Sequence, residues 1–235
     1  MLLKPESTHR AQETALKIGA AQCVRLYQPS YVFSEELRAT RSARFSLYEL
    51  DSSVTSASMF RACMLAACRS QGPNSSCVTV YSVEEYTARR LFLGTDGLTG
   101  FAVKLGEVAS VFRHTGRPGL PTLKNLVALA IQVGGNRLDA YDTNLAARYR
   151  ACGFTSVARL PWSDADAPSG WCYEHFDAYN QGCPDVVFMV LGAPEIAPVL
   201  VSSYSEGIAC QRLALAFANS ARPQLRFAES RFGVL

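Results

Sequence analysis

The stretch RHTGRPGLP, which directly precedes a predicted helix, concentrates groups that bind anions. Its cationic side chains are Arg113, His114 and Arg117. Gly116 and Gly119 allow backbone N–H groups to come close to a ligand. A helix start also presents free N–H groups and the positive end of the helix dipole. The sequence therefore predicts an anion-binding loop here, with an ordinary basic turn as the alternative.

Other chemistries receive less support from residue types and their spacing. The histidines are His9, His114 and His175, and neither an HExxH motif nor a Cys/His cluster occurs, so a zinc site is not predicted. Cys172 and His175 stand three residues apart, but no third group is placed to orient the histidine as a base. The sequence also lacks a P-loop and a GxSxG motif.

The segment that must position a site is Arg137–Trp162, which reads as strand, helix and strand. Apolar residues alternate up to Asp142 and Thr143, which are typical helix N-cap residues. The helix is predicted over Asn144–Cys152, and Gly153 suits the left-handed residue that ends many helices. Period-two alternation then returns. A strand, helix and strand this short are typical of a parallel or mixed α/β sheet.

The other elements are predicted from the same periodicities and from helix caps. Before this segment, they are a strand at Ala43–Leu50, a helix at Val54–Arg69, a β-like run at Cys77–Tyr81, a helix at Val83–Arg89 after the capping box of Ser82 and Glu85, an antiparallel three-stranded meander over Arg90–Arg113 and a buried helix at Thr122–Val133. After it come an inserted loop at Ser163–Gly182, an apolar strand at Pro184–Leu191 and a helix at about Ser205–Asn219. A fully apolar strand belongs inside a sheet.

The chain is therefore predicted to hold one α/β domain with extensions at both ends. Residues 1–42 are predicted as an N-terminal helical extension, because Glu6–Leu26 carries apolar residues at helical spacing. Residues 43–192 form the domain, which includes the insertion 163–182. Residues 193–235 supply a C-terminal helix and tail.

The composition fits a globular protein with a substantial core. Hydrophobic residues make up 49% of the 235 residues, and the net charge of +3 is too small to favour nucleic acid as a partner. No apolar run approaches the ~18 residues of a membrane span, and the first residues do not resemble a signal peptide. The eight cysteines form no CxxC pair, so we expect reduced, buried thiols in a cytoplasmic protein.

The order of the elements resembles the GNAT superfamily of acyl-CoA-dependent N-acyltransferases. Members often carry Asn, then Ala three residues on, Tyr seven residues on, and Gly-Phe four and five residues after that. Here Tyr149, Gly153 and Phe154 agree with this spacing, whereas Asp142 and Leu145 replace Asn and Ala. The resemblance in order runs from the first predicted strand to the last. It implies an α/β fold with a GNAT-like mixed, mostly antiparallel central sheet flanked by helices.

The resemblance also implies roles for single residues. Tyr149 would protonate the departing CoA thiolate, with packing of its ring on the sheet as the alternative. Glu107, at the start of a strand, would deprotonate the attacking amine, or would simply be solvated. Asp142 and Asn144 would lie beside the cofactor cleft, with the capping of the next helix as the alternative for Asp142.

The anion-binding loop matches the family's pyrophosphate motif in part. That motif reads Arg/Gln-x-x-Gly-x-Gly/Ala before the buried helix, and its backbone N–H groups bind the coenzyme A pyrophosphate. Arg113 and Gly116 match it, whereas Pro118 departs from it, because proline has no N–H to donate. The cofactor that the resemblance implies is acetyl-CoA. The cofactor-binding residues it implies are Arg113, His114, Gly116, Arg117, Gly119, Asp142 and Asn144.

A second resemblance is to uncharacterised phage and prophage proteins, a group with no established activity. The matching pieces are Leu138–Asp142, Tyr149–Phe154, Ala158–Trp162, Ala167–Trp171 and Pro184–Met189. If the chain is phage-encoded, it would act in the cytoplasm of a bacterial host.

Three functions follow as hypotheses. The first is transfer of an acetyl group from acetyl-CoA to an amine of a protein or small molecule, by direct attack in a ternary complex. The pantetheine would lie in a gap between Glu107–Phe112 and Arg137–Asp142. The second is a catalytically degenerate protein of the same fold that binds and inhibits or modulates a host protein through aromatic residues of the insertion. The third is an effector that acylates a host protein or a tRNA.

Overall fold

The structure is a computed structural model that describes residues 14–18, 22–26, 47–94, 96–115 and 119–229. Its strands are β1 (Thr14–Ile18), β2 (Gln22–Leu26), β3 (Leu47–Glu49), β4 (Arg90–Gly94), β5 (Thr99–Lys104), β6 (Glu107–Arg113), β7 (Arg137–Tyr141), β8 (Phe154–Leu160), β9 (Val186–Leu191) and β10 (Val199–Leu200). Its α-helices are α1 (Val54–Gln71), α2 (Val83–Thr87), α3 (Leu123–Gln132), α4 (Asn144–Arg150) and α5 (Tyr204–Glu229). Short 3₁₀-helices occupy Gly72–Cys77, Asp164–Asp166 and Glu174–Phe176.

Within these residues, eight strands form one mixed sheet in the order β10-β8-β9-β7-β6-β5-β4-β3. From β3 to β6 each strand is antiparallel to the next, which confirms the predicted meander. β6 and β7 are parallel, and β9 inserts antiparallel between β7 and β8. The short β10, which the sequence did not predict, pairs parallel to β8. The sheet is therefore mixed and mostly antiparallel with helices on its faces, as predicted.

The two faces of the sheet carry separate hydrophobic clusters, because successive strand residues point to opposite sides. On one face, α3 and α4 bury Leu126 and Ala146 against Leu138 of β7. On the other face, α1 and α2 bury Phe60 and Tyr86 against β4 to β6. α5 packs on β8 and β9 of that second face. None of the described helices has the length and apolar content that a membrane span requires.

Short polar side chains cap the N-terminal ends of three helices. The Ser53 side chain accepts from the Ser56 N–H and starts α1. Ser82 and Glu85 form both hydrogen bonds of a capping box at α2. Thr122 caps α3 through the Asn125 N–H. Since an N-cap side chain contributes about 0.5–2 kcal/mol, these short polar residues fix where each helix begins.

The N-terminal helix prediction is wrong for the residues that the structure describes there. β1 and β2 form an antiparallel pair in which Thr14 lies opposite Leu26 and Ile18 opposite Gln22. The sequence TALKI alternates as a strand does, and Gly19 at the connection is a poor helix residue. The Ala-rich sequence of this stretch is compatible with the helical period of 3.6 residues and with the strand period of two. Apart from the ten residues of β1 and β2, positions 1–42 lie outside the described part of the chain.

The β-like run predicted at Cys77–Tyr81 is also wrong, because these residues belong to no strand. Side chains satisfy the backbone of Tyr81 instead. The Arg61 Nε donates to the Tyr81 carbonyl over 3.0 Å, and the Tyr81 N–H donates to the Tyr86 hydroxyl over 3.4 Å. A backbone that side chains satisfy in this way does not need a neighbouring strand.

Candidate active site

The sheet opens between β6 and β7, which are parallel and adjacent. Their ladder holds one pair, Glu107 with Arg137, at the N-terminal end of both strands. Beyond it a cleft of about 1120 Å³ opens, and residues of both strands line it. The predicted gap between these strands is therefore present. The carboxyl ends of parallel strands are where open α/β sheets bind ligands, so this cleft is the candidate site.

A β-bulge in β6 borders the cleft. Ala109 and Phe112 of β6 are three residues apart, but their partners on β5 are only two apart. Ser110, between them, has a φ of +50°. The extra residue exchanges the faces, so that Val108 packs with α3 whereas Phe112 packs with α1. Bulges re-aim groups next to active sites, and this one changes which groups of β6 face the gap.

Tyr149 of α4 lines the cleft, and its ring also belongs to the core. The side chain is only 7% exposed and packs edge-on against Phe154, with 6.4 Å between ring centroids. Within the described part of the chain, its hydroxyl has no hydrogen-bond partner. Burial, with smaller contributions from Asp139 and Cys152, raises the pKa of this phenol. A phenol with a raised pKa stays protonated at neutral pH and can donate a hydrogen bond to a ligand in the cleft.

Asp139 lies in the middle of β7 and also lines the cleft. It points to the face opposite that of Leu138 and Ala140, which are in the core with α3 and α4. Burial raises the pKa of its carboxyl, and the neighbouring Tyr204 hydroxyl opposes that shift. The ring of Tyr204, the first residue of α5, packs edge-on on Phe188 with 5.0 Å between centroids. The start of α5 thus places a phenol on the same cleft as the carboxyl.

Glu107, which the resemblance assigned as the base, stands at the closed end of the gap. Its carboxylate pairs with the Arg89 guanidinium at 3.0 Å, and the Arg89 side chain is only 8% exposed. The guanidinium also lies over the ring of Tyr81, 4.2 Å from its centroid. Glu107 is not among the residues that line the cleft. Its geometry is that of a structural ion pair.

The structure describes only part of the predicted anion-binding loop. Arg113 ends β6, and its buried Nε has no partner within the described residues. The His114 N–H donates to the Leu98 carbonyl over 2.8 Å, and Gly119 has a φ of +81°. Gly116, Arg117 and Pro118 lie outside the described residues. The geometry of the loop as an anion cradle therefore stays a prediction.

Asp142 takes part in an ion-pair network and not in the cleft wall. Its two carboxylate oxygens accept from Arg150 at 2.8 Å and from Arg159 at 2.9 Å. The cap of α4 is Thr143, whose side chain accepts from the Leu145 N–H, so the capping alternative for Asp142 is wrong. Asn144 is exposed on the first turn of α4. Among the predicted site residues that the structure describes, Tyr149 is the one that lines the cleft.

The insertion after β8 forms a packed aromatic cluster at one end of the cleft. Trp162 and Trp171 lie 4.7 Å apart by ring centroids, and both contact Tyr141, the last residue of β7. Phe176 is buried and stacks on Trp171 at 4.3 Å. Trp171 also donates to the Gly182 carbonyl over 2.8 Å. These rings pack on their own domain, as a lid or wall would.

Sequence reasoning missed both Asp139 and Tyr204. Asp139 is one polar position in an alternating strand, and such positions are usually solvated. Tyr204 stands about 60 residues further along the chain, and nothing in its spacing links it to β7. The one available signal was an acidic residue in the strand that borders the predicted gap.

Comparisons with known proteins yield two similar solved structures, whereas no family profile and no curated protein matches the sequence. The first is apo-form YjaB from Escherichia coli, at a TM-score of 0.41 and 12% identity over 63% of this chain and 97% of that one. The second is yncA from Salmonella typhimurium, described as a candidate acetyltransferase with its cofactor acetyl-CoA. Its TM-score is 0.38, and the two chains are 12% identical over 66% of this chain and 98% of that one. At these values neither likeness bears on what this chain binds or does.

Proposed function

We propose that the protein transfers an acetyl group from acetyl-CoA to an amine, by direct attack within a ternary complex. The observation that carries the proposal is the cleft between diverging parallel strands, which is lined by Tyr149, a side chain whose hydroxyl has no hydrogen-bond partner among the described residues. A hydroxyl that lines a cavity and forms no hydrogen bond with the described residues is available to a ligand there.

The cleft is large enough for acetyl-CoA, and the edge of β6 that is unpaired within the described residues could hydrogen-bond to its pantetheine chain. The cleft volume of about 1120 Å³ is slightly larger than that of most small-molecule sites. Past Glu107, the edge of β6 that faces β7 forms no ladder pair within the described residues. An extended chain with amide groups, such as pantetheine, can hydrogen-bond to such an edge in the way an added strand does.

The pyrophosphate would bind at the loop that follows β6. The buried, unpartnered Nε of Arg113 stands at the start of that loop. Arg113, His114 and Arg117 would supply charge, and Gly116 and Gly119 would allow close approach before α3. Pro118 contributes no N–H, so fewer backbone donors serve this loop than the motif provides.

Acetyl-CoA, when bound, supplies the acetyl group activated as a thioester. Tyr149 would then give its proton to the sulfur as the C–S bond breaks, because its phenol is held protonated in an apolar setting. The buried walls of the cleft, among them Val108 and Ala140, would exclude water that could otherwise hydrolyse the thioester.

Thermal stability in the presence of acetyl-CoA tests this proposal. A ligand at a hundred times its dissociation constant stabilises the native state by about 2.7 kcal/mol, so millimolar acetyl-CoA should raise the melting temperature by several degrees. ATP serves as the control ligand, because it carries an adenine nucleotide and phosphates but no pantetheine. No shift with acetyl-CoA, or an equal shift with ATP, would contradict the proposal.

The second function, binding of another protein by a catalytically degenerate fold, receives less support. It required the aromatic residues of the insertion as a contact surface. Trp162, Trp171 and Phe176 pack on one another and on Tyr141, and Tyr173 alone among the insertion's aromatic rings is strongly exposed, at 42%. Failure of acetyl-CoA to bind would make this function the preferred one.

A further inference from the structure

The ionisable side chains that line the cleft are acids, tyrosines and one cysteine. The acids are Asp139 and Asp166, and no Lys, Arg or His lines the cleft within the described residues. The loop proposed to bind phosphate is cationic, so the two ends of the proposed site differ in sign. A site with this charge favours a cationic ligand in the part of the cleft that Asp139 borders.

The surroundings of Asp139 suit an organic ammonium. The rings of Tyr81, Tyr141 and Tyr204 line the same cleft, and aromatic faces attract cations. Tyr81 already binds one cation in this way, the Arg89 guanidinium. Apolar side chains complete this part of the wall. They are Leu160, Val186, Leu200 and Val201. Such a wall fits a methylene chain that carries the ammonium.

An independent observation points to a ligand in the same cleft, on the face of β7 opposite Asp139. The Tyr149 side chain lines the cleft and is only 7% exposed. Its hydroxyl has no hydrogen-bond partner among the described residues. Tyr149 and Asp139 both line this cleft. A proton acceptor and a proton donor thus border a single cavity.

We propose that Asp139 binds the ammonium of an aliphatic primary amine in the cleft and takes its proton, with the Tyr204 hydroxyl as its positioning group. Asp166, at the exposed rim, would attract a second positive charge, so the preferred acceptor is a diamine or a lysine-like amine. This inference rests on the proposed function. It replaces Glu107 as base, because Arg89 pairs with Glu107 away from the cleft.

The protons and bonds balance across the reaction. One ammonium proton passes to the Asp139 carboxylate, and the freed nitrogen lone pair forms the C–N bond to the acetyl carbon. The thioester C–S bond breaks, and the sulfur keeps the electron pair and takes the proton of the Tyr149 hydroxyl. The second nitrogen proton restores the Tyr149 hydroxyl, and Asp139 releases its proton to solvent. The products are the acetamide, the free thiol and one proton.

The pH dependence follows from the groups that face Asp139. They are Tyr204, Glu107, Arg89, Tyr81, Tyr141 and Tyr149. Burial raises the pKa of Asp139, and Glu107 adds to that rise, so the base is lost on acidification at a higher pH than for an ordinary aspartate. The Tyr204 hydroxyl stabilises the carboxylate, so Tyr204→Phe should move the acid limb of kcat/KM to still higher pH.

Amine binding gives a readout that does not depend on turnover. We expect 1,5-diaminopentane, without acetyl-CoA, to raise the melting temperature of the wild-type protein, and 1,5-pentanediol to have no effect. Asp139→Asn should abolish the diamine shift, because it removes the charge and keeps the shape. Asp177→Asn is the matched control, since Asp177 is exposed on the insertion and does not line the cleft. Equal shifts by diamine and diol would overturn the inference.

Turnover then separates this inference from the proposed function. Asp139→Asn should keep its affinity for acetyl-CoA in calorimetry and lose about a hundredfold or more in acetyl transfer to the diamine. Unchanged transfer would overturn the inference and leave the acetyltransferase in place. Failure of the wild-type protein to bind acetyl-CoA would overturn the acetyltransferase, whereas Asp139-dependent diamine binding in that preparation would uphold the amine site. If Asp139→Asn does not fold, the pH profile of Tyr204→Phe decides, and an unmoved acid limb overturns the inference.

Discussion

At the scale of single residues, Tyr149 is both a core residue and a group of the cleft. Its ring packs with Phe154, whereas its hydroxyl faces the cavity without a partner in the described chain. Phenylalanine would supply the same packing, so the hydroxyl is the part of this side chain that is available to a ligand in the cleft.

Tyr149→Phe removes this hydroxyl and keeps the ring. We expect turnover of acetyl-CoA with an amine to fall by about a hundredfold or more, because the sulfur loses its proton donor. Stability should be unchanged or slightly higher, since no hydrogen bond of the described residues is lost. Loss of thioester absorbance measures the rate, and a melting curve measures stability.

Tyr179→Phe is the matched control for this experiment, because Tyr179 lies in the insertion and does not line the cleft. Unchanged turnover in Tyr149→Phe would mean that Tyr149 serves only to pack the helix on the sheet. Weaker acetyl-CoA affinity with normal turnover would instead assign the hydroxyl a binding role.

The sequence predicted Tyr149 through a local spacing but could not predict Asp139 or Tyr204. Tyr149, Gly153 and Phe154 fall within one helix end, so their relation is written in consecutive residues. Asp139 and Tyr204 meet only because β9 lies beside β7 and α5 packs on β9. Contacts that depend on strand order are not visible in a single sequence.

At the scale of elements, α5 sets the position of Tyr204, and Gly207 sets the position of α5. A Cβ at Gly207 would overlap the ring of Phe188, which is fully buried in β9. Gln211, one turn further on, is 1% exposed, and its Nε2 donates to the Leu138 carbonyl at 2.7 Å and to the Met189 carbonyl at 3.2 Å. The helix is thus fixed on β7 and β9 by one close approach and one pair of hydrogen bonds.

Gly207→Ala should destabilise the protein although alanine is the better helix former. The gain in helix propensity is about 1 kcal/mol, whereas overpacking against a rigid ring costs about 1–3 kcal/mol. We therefore expect a melting temperature lower by a few degrees. Displaced Tyr204 should also lower amine turnover more than acetyl-CoA affinity.

Ser205→Ala controls for the added alanine, because Ser205 is exposed on the same turn. A rise in melting temperature for Gly207→Ala would show that α5 shifts on β9 without cost, and the account of its fixed position would be wrong.

Elements with clear periods and caps were predictable, and those with ambiguous periods were not. The segment from β7 to β8 followed from alternation, the cap and Gly153, which has a φ of +91°. The N-terminal stretch failed because a run rich in alanine and leucine fits a helix as well as a hairpin, and its choice depends on pairing between Thr14–Ile18 and Gln22–Leu26. The first strand was predicted at Ala43–Leu50, and Leu47–Glu49 forms it within the described residues.

At the scale of the whole molecule, the sheet consists of two halves that meet at one ladder pair. β3 to β6 form one half and β7 to β10 the other, joined at Glu107 and Arg137. α3, the connection between β6 and β7, packs on β5 and β6, and it buries Leu126 and Val127 in the core that both halves share. The cleft is therefore a consequence of topology, and the insertion closes one of its ends.

The insertion offers a direct test of this arrangement through the two tryptophans of the chain. Trp171 lies within the insertion, and Trp162 directly precedes it. Trp162 and Trp171 contact the ring of Tyr141 with centroid distances of 5.7 and 4.9 Å. Tyr141→Ala removes the surface on which they pack, so we expect red-shifted tryptophan emission and stronger quenching by acrylamide. Far-UV circular dichroism should stay unchanged, since Tyr141 is the last residue of β7.

Tyr173→Ala is the control, because Tyr173 contacts Trp162 from the exposed side, at 6.0 Å, and leaves Tyr141 in place. Its emission shift should be smaller than that of Tyr141→Ala. In the wild-type protein, a ligand in the cleft should also change the emission, because Tyr141, Ser163 and Asp166 line the cavity and adjoin the tryptophans. Emission that responds neither to Tyr141→Ala nor to acetyl-CoA would mean that the insertion is not a wall of the site.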